Sequence, residues 1–325
     1  MVENLKINNS LFDMMLSDLS GSVACHGLSA VFTDIFTAGD GGEASVIDLA
    51  RFPWLEGKTF AELSALFIDS VVLGWMTEED GKWSTDMCPP PQEKAVKGMK
   101  LAVLAQSQSV RVLRTPIKWE ASGKAPDGKS CVSLARSQHA TQTVMVLNEH
   151  DTFLSERIAK SGDKVKTVEV KLLSGPSTYN EGLSLVNLKN LGVLNADVIV
   201  IKKFLEEHGK VCADTDAKVV TACKMIALLR KQNAIKSPVH LVVSIHEAES
   251  LDLLQTVCAN PGMTVEYLVT DEVEAGVIFQ MLQTPVLKPV YASLLEEGTD
   301  LFLIPAHLML PVGQPLSFGY ISEVP

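Results

Sequence analysis

The sequence predicts an α/β fold: a Rossmann-like parallel-sheet lobe joined to a small α+β lobe. Three observations carry that expectation. Five short β-branched runs recur between residues 143 and 269. Segments with helical spacing lie between them. Residues 38–106, by contrast, hold strand-like runs broken by turn signals, with little helix between them. Apolar strands that alternate with helices imply a parallel sheet covered on both faces.

In chain order, residues 1–37 read as two helical segments, one around Met14-Met-Leu16 and one around Leu28-Ser-Ala-Val-Phe32. Residues 38–106 form the α+β lobe. Ser45-Val-Ile47 and Ser70-Val-Val-Leu-Gly-Trp75 are strands, and Lys58-Thr-Phe-Ala-Glu-Leu63 is a helical turn. Glu78-Glu-Asp-Gly81 is a turn, Pro89-Pro-Pro91 a loop, and Lys100-Leu-Ala-Val-Leu-Ala105 the last strand. Residues 107–137 mix Ser, Gly, Lys and Pro and read as a linker.

Residues 138–270 are the Rossmann-like unit. Its strands are Thr143–Leu147, Thr167–Leu173, Asp197–Ile201, Val239–Ile245 and Thr264–Val269. The helices between them run over Asp151–Ser161, Asp216–Lys231 and Ala248–Cys258, with Asp214 or Asp216 at a natural N-cap. Residues 271–325 open with two more helices, Val273–Leu282 and Val286–Leu295.

An internal repeat links the two ends of the chain. Leu28-Ser-Ala-Val-Phe32 parallels Leu287-Lys-Pro-Val-Tyr291, and Met14-Met-Leu16 parallels Gln280-Met-Leu282. Asp48-Leu-Ala50 and Gly57-Lys-Thr-Phe60 have counterparts at Ile304-Pro-Ala306 and Gly313-Gln-Pro-Leu316. The chain reads as a permuted or truncated piece of a tandem array.

The 325 residues predict two domains, or three small ones, at about 100–200 residues each. A hydrophobic content of 46% supports a sizeable core and excludes a largely disordered chain. The net charge of -11 argues against nucleic acid and bare anionic membrane as partners. Lys202-Lys203 and Arg230-Lys231 are isolated basic pairs. The longest apolar window, Leu63–Met76, is 14 residues and contains Asp69, too short to span a bilayer. Residues 1–4, Met1-Val2-Glu3-Asn4, carry an acid where a signal peptide needs a cation. The six cysteines, at 25, 88, 131, 212, 223 and 258, include no Cys-x-x-Cys and read as reduced thiols.

Several residues are candidates for chemistry, each with a plainer reading beside it. The first strand of the Rossmann-like unit runs into Leu147-Asn148-Glu149-His150-Asp151 without a glycine. A dinucleotide site needs Gly-x-Gly-x-x-Gly there, and the acids would repel a diphosphate, so NAD or FAD is not expected. Glu169 is either a ribose ligand or part of a solvated strand face. Gly175, Ser177 and Thr178 either cup a ligand or turn the chain. His246 beside Glu247 and Glu249 suits a divalent cation or a solvated helix start. Asp271, Glu272 and Glu274 offer oxygen ligands for Ca²⁺, or simply complement a helix dipole. His240 lies within a strand run. Cys25-His26 is adjacent in sequence, which does not make a dyad, and Gly-x-Ser-x-Gly is absent. No catalytic signature emerges.

The lobe at 38–106, with Lys58–Leu63, Asp69–Gly74, Pro89–Pro91 and Gly98–Ala105, resembles the small lobe of regulator-of-potassium-conductance (RCK) domains. The Rossmann-like unit, with Gly175-Pro-Ser-Thr178, Ala196–Ile201 and Ala213-Asp214, resembles the larger RCK lobe. Val269–Ala275, Gln280–Leu282 and Val290–Gly298 are similar to the CASTOR/POLLUX branch of ion channels. The resemblance covers nearly the whole chain through loose motifs. It implies that 1–37 are crossover helices of a first RCK unit, that 38–106 are its C-lobe, and that 271–325 begin a second, truncated C-lobe. It further implies homo-oligomeric assembly in a tetramer-type ring beneath a cation pore, biased by ligand or Ca²⁺. The pore domain would lie in the same or another chain, and this chain would sit at the cytosolic or nucleoplasmic face of the membrane, or in the cytoplasm if unlinked. The Asn148-Glu149 loop departs from the family's glycine-containing turn, which counts against nucleotide sensing. The expected function is thus non-enzymatic regulation or gating. The alternatives are a degenerate NAD(P)-linked oxidoreductase and a ligand-free structural interaction protein.

Overall fold

The computed structural model describes residues 9–21, 27–37, 42–106, 110–116, 142–148, 152–160, 164–168, 183–204, 211–233 and 237–294. The fold is mixed α/β, with one parallel and one antiparallel sheet. The chain divides into two units, residues 1–29 with 138–274 and residues 30–137 with 275–325.

In the first unit the β-branched runs become five parallel strands: β5 (Thr143–Leu147), β6 (Lys164–Val168), β7 (Val198–Ile201), β8 (Val239–Ile245) and β9 (Met263–Val269). Their order is β6-β5-β7-β8-β9, so the strand order reverses between β5 and β7. Helix α4 (Phe153–Lys160) joins β5 to β6. Helices α5 (Leu185–Leu191), α6 (Thr215–Gln232) and α7 (Leu251–Cys258) precede β7, β8 and β9 in turn. Right-handed crossovers running in opposite directions place α4 on one face and α5–α7 on the other. Helix α1 (Asn9–Gly21) packs beside α4 and against β7 and β8.

Every residue of β7 and β8 is buried, as a sheet covered on both faces requires. Met145, Ile199, Leu241, Val243 and Ile245 share a core with Val219, Ile226, Leu254 and Val257 of α6 and α7. On the other face His240 is buried and its Nε2 lies 3.2 Å from the carbonyl of Leu19 in α1. Its Nδ1 lies 3.0 Å from Thr264 Oγ1. This strand histidine is therefore a satisfied core residue. Glu266, also buried, accepts from Ser29 N at 3.0 Å and from Gly27 N. These contacts cap the start of α2 (Leu28–Phe36) from the neighbouring strand.

The second unit is built on an antiparallel sheet of order β1-β4-β2-β3. Its strands are β1 (Glu43–Asp48), β2 (Ser70–Glu79), β3 (Lys82–Met87) and β4 (Lys100–Ala105). Trp75, Leu49, Leu55, Leu63, Leu101 and Val103 form its core. Thr59 caps α3 (Phe60–Ser64) in a reciprocal box with Glu62. Helix α9 (Lys288–Leu294) packs on β3, and the Tyr291 ring lies 5.2 Å from that of Phe36.

Some elements differ from the sequence reading. The expected turn at Glu78–Gly81 is shorter: β2 runs to Glu79, and the hairpin turns on Asp80 and Gly81, both at positive φ. β3 was missed because its residues alternate between exposed and partly exposed, which leaves no hydrophobic stripe. The strand expected at Thr167–Leu173 instead begins at Lys164; residues beyond 168 lie outside the described set. The acidic helix expected from 273 begins at Thr270, as α8 (Thr270–Gln283). In the helices expected to correspond, Leu28, Phe32 and Ile35 are buried, and so are Leu287, Tyr291 and Leu294. The later parts of the second copy, from 295 onward, lie outside the described residues. Among the described residues, no helix is long and apolar enough to cross a membrane.

Candidate functional site

Open parallel sheets bind ligands beyond the carboxyl ends of their strands, at the point where strand order reverses. Here that point lies between β5 and β7. Asn148 follows β5, is buried, and adopts the left-handed conformation with φ 63. Asparagine tolerates that conformation better than most side chains. Its Nδ2 donates to the carbonyl of Lys203 at 2.7 Å, and Lys202 N donates to Leu147 O at 3.2 Å. The position where a phosphate-binding glycine would stand thus carries a side chain that ties the two strands together.

Two lysines follow β7. Lys202 Nζ pairs with Asp13 of α1 at 2.8 Å, both side chains nearly buried. Lys203 places its ammonium 5.2 Å from the Phe12 ring centroid. Partial burial pushes the Lys203 pKa down, against the pull of Glu274, Asp271 and Asp13, whose charges favour its protonated form. The acids around this lysine disfavour a phosphate there.

Farther along the same edge, Asp216 accepts from His246 N and Glu247 N at 2.8 and 2.9 Å. Asp214 sits at the N-cap position of α6 but makes no side-chain capping bond; it pairs with Lys218 at 2.6 Å. The expected N-cap position is thus held by Asp214, though its side chain turns to Lys218 rather than to the first-turn amides. Asp216 braces the exit of β8 because its carboxylate finds two strand-end donors within reach. His246 Nδ1 lies 2.6 Å from Asp271 Oδ1.

The predicted candidates separate. Asp271, Glu272 and Glu274 are exposed at the start of α8, and Asp271 is engaged by His246. Glu247 and Glu249 are exposed beside His246. Among the described residues, no group of three or more His, Cys, Asp or Glu side chains could hold a metal ion. Gly175, Ser177, Thr178, Glu169, Cys25 and His26 lie outside the described residues. The sequence reading overlooked the Asn148 bridge and the Lys202–Asp13 pair. An asparagine after a strand was a legible signal for the first; the second joins residues 13 and 202, and spacing gives no hint of it.

No family model matches the chain, and no curated protein does. Among solved structures, an acetyl xylan esterase (Est2A) from the rumen bacterium Butyrivibrio proteoclasticus aligns at 10% identity and a TM-score of 0.21, covering 78% of this chain and 92% of that one. A likeness of that size bears on neither fold nor chemistry. The fold itself defines the class: an α/β protein with a doubly wound parallel sheet and a separate antiparallel sheet.

Proposed function

We propose that this chain is a non-enzymatic regulatory region of the RCK type, similar to those of CASTOR/POLLUX-like cation channels, and that it works by assembling through its helix pairs. The observation that supports this most is an imbalance within the repeat. Leu16 of α1 is buried, whereas its counterpart Leu282 of α8 is 64% exposed, beside Phe279 at 50%. Exposed large apolar side chains on one helix mark an interaction face more readily than a solvent face. In this reading a second copy covers that face, a tetramer-type ring forms, and the ring acts on a pore domain in the same or another chain. Ligand or Ca²⁺ would act by binding one arrangement of the ring better than another.

Light scattering at micromolar concentration tests the assembly. A dimer or larger species supports it, and a clean monomer counts against it. Thermal shift tests the ligand. A rise in melting temperature with Ca²⁺ supports ion-linked regulation, and a rise with NAD or NADP instead points to a degenerate oxidoreductase. Discrete assembly without any shift points to a ligand-free interaction protein.

A further inference from the structure

We propose that the exposed face of α8 takes helix α4 of a second copy, packed antiparallel, with Phe279 against Phe153 and Glu272 beside Lys160 of that copy. This pairing rests on the assembly reading above and names the surface that meets α8. The outward face of α8 changes character along its length. Asp271, Glu272 and Glu274 are exposed in its first turn, and Ala275, Phe279 and Leu282 are exposed farther on. His246 engages Asp271. Glu272 lies two helical turns before Phe279, so the two share a face about 10.5 Å apart along the axis.

Helix α4 presents the reverse pattern at the same spacing. Its first residue, Phe153, is 42% exposed, and its last, Lys160, is an exposed cation two turns later. The charges between them are engaged within the chain: Glu156 accepts from Thr152 Oγ1 at 2.6 Å, and Arg157 pairs with Asp18 at 3.4 Å. One helix runs from acid to apolar and the other from apolar to base. The two patterns coincide only when the helices run in opposite directions.

Charge selects this arrangement over pairing of α8 with itself. The chain carries a net charge of -11, so association needs local complementarity. Helix α8 contains no Lys or Arg. Two parallel α8 helices would set Glu272 against its own copy, and two antiparallel ones would leave each Glu272 without a cation. Helix α4 supplies the opposite charge at the matching distance, and antiparallel packing also opposes the helix dipoles. Each copy carries one α8 and one α4. The contact can therefore pass from copy to copy and close into a ring when the rotation permits.

Sedimentation equilibrium of the full chain, with Lys160→Glu, with Glu272→Lys and with both, tests the pairing. Carbodiimide cross-linking of a mixture of isotopically heavy and light wild-type chains accompanies it. Each single reversal should weaken association about tenfold, and the chain with both should regain it. Peptide mass spectrometry should find an amide joining Lys160 of one isotopic form to Glu272 of the other. A monomeric wild type overturns the assembly reading and this pairing with it. An associated chain that Phe279→Glu, Leu282→Glu dissociates but neither reversal weakens overturns the pairing alone. So does a double reversal that stays weakened, or an associated wild type without the Lys160–Glu272 link. The wild-type map decides the matter even if a variant fails to fold.

Discussion

Lys202 at the end of β7 holds Asp13 of α1 at 2.8 Å, with only 13% and 3% of the two side chains exposed. A buried ion pair is costly to break from one side, because the surviving charge stays out of water. Asp13→Ala should therefore destabilise the protein by about 3–5 kcal/mol. The double variant Asp13→Leu, Lys202→Met should recover most of that loss, since no charge is then stranded. Urea denaturation of the four chains gives the comparison, and an Asp13→Ala chain as stable as wild type would place α1 outside the sheet unit.

Gly74 leaves no room for a side chain. A Cβ there would lie 2.0 Å from the backbone oxygen of Asp86 on β3, at the point where the β2–β4 register shifts. A backbone atom cannot yield as a flexible side chain can. Gly74→Ala should separate β3 from β2 and lower stability by several kcal/mol, on the order of an overpacked core. Hydrogen exchange should show lost protection along Lys82–Met87 while β7 and β8 keep theirs. Gly81, at φ 75 with nothing within 4 Å of its Cβ position, should instead show only the strain of its backbone conformation.

Tyr291 carries the alkaline limit of the second unit. Burial raises its phenol pKa above the ordinary value, with a smaller contribution from Glu43. A folded pKa above the unfolded one gives stability that is full below about pH 10 and is lost as pH rises through the folded value. Wild type should therefore weaken above pH 10, and Tyr291→Phe should not share that loss. At neutral pH the phenylalanine variant should match wild type or gain about 1 kcal/mol, because the buried Tyr291 hydroxyl has no hydrogen-bond partner among the described residues. Thermal unfolding across pH 7–11 is the measurement.

The strands of the parallel sheet were legible because each is a short, continuous run of β-branched residues. Thr143–Leu147 and Val239–Ile245 fall within the bounds read from sequence. β3 was not legible, since Lys82–Met87 follows the sheet edge without an apolar stripe. Its turn was announced all the same by Asp80-Gly81, a pair suited to positive φ. The acids at 271–274 were visible as a cluster, but sequence does not say that Asp271 meets His246 across the end of β8. The expected repeat rests on apolar residues that fall on one helical face, at Leu28/Leu287 and Phe32/Tyr291. Its imbalance at Leu16/Leu282 is a matter of packing that spacing alone does not reveal.

That imbalance carries the proposed function, and sedimentation equilibrium of wild type against Phe279→Glu, Leu282→Glu tests it directly. Both side chains are exposed, so the substitutions should leave folding intact by circular dichroism. The account predicts an associated wild type and a monomeric double variant. Equal mass for the two chains, whether both monomeric or both associated, would contradict it.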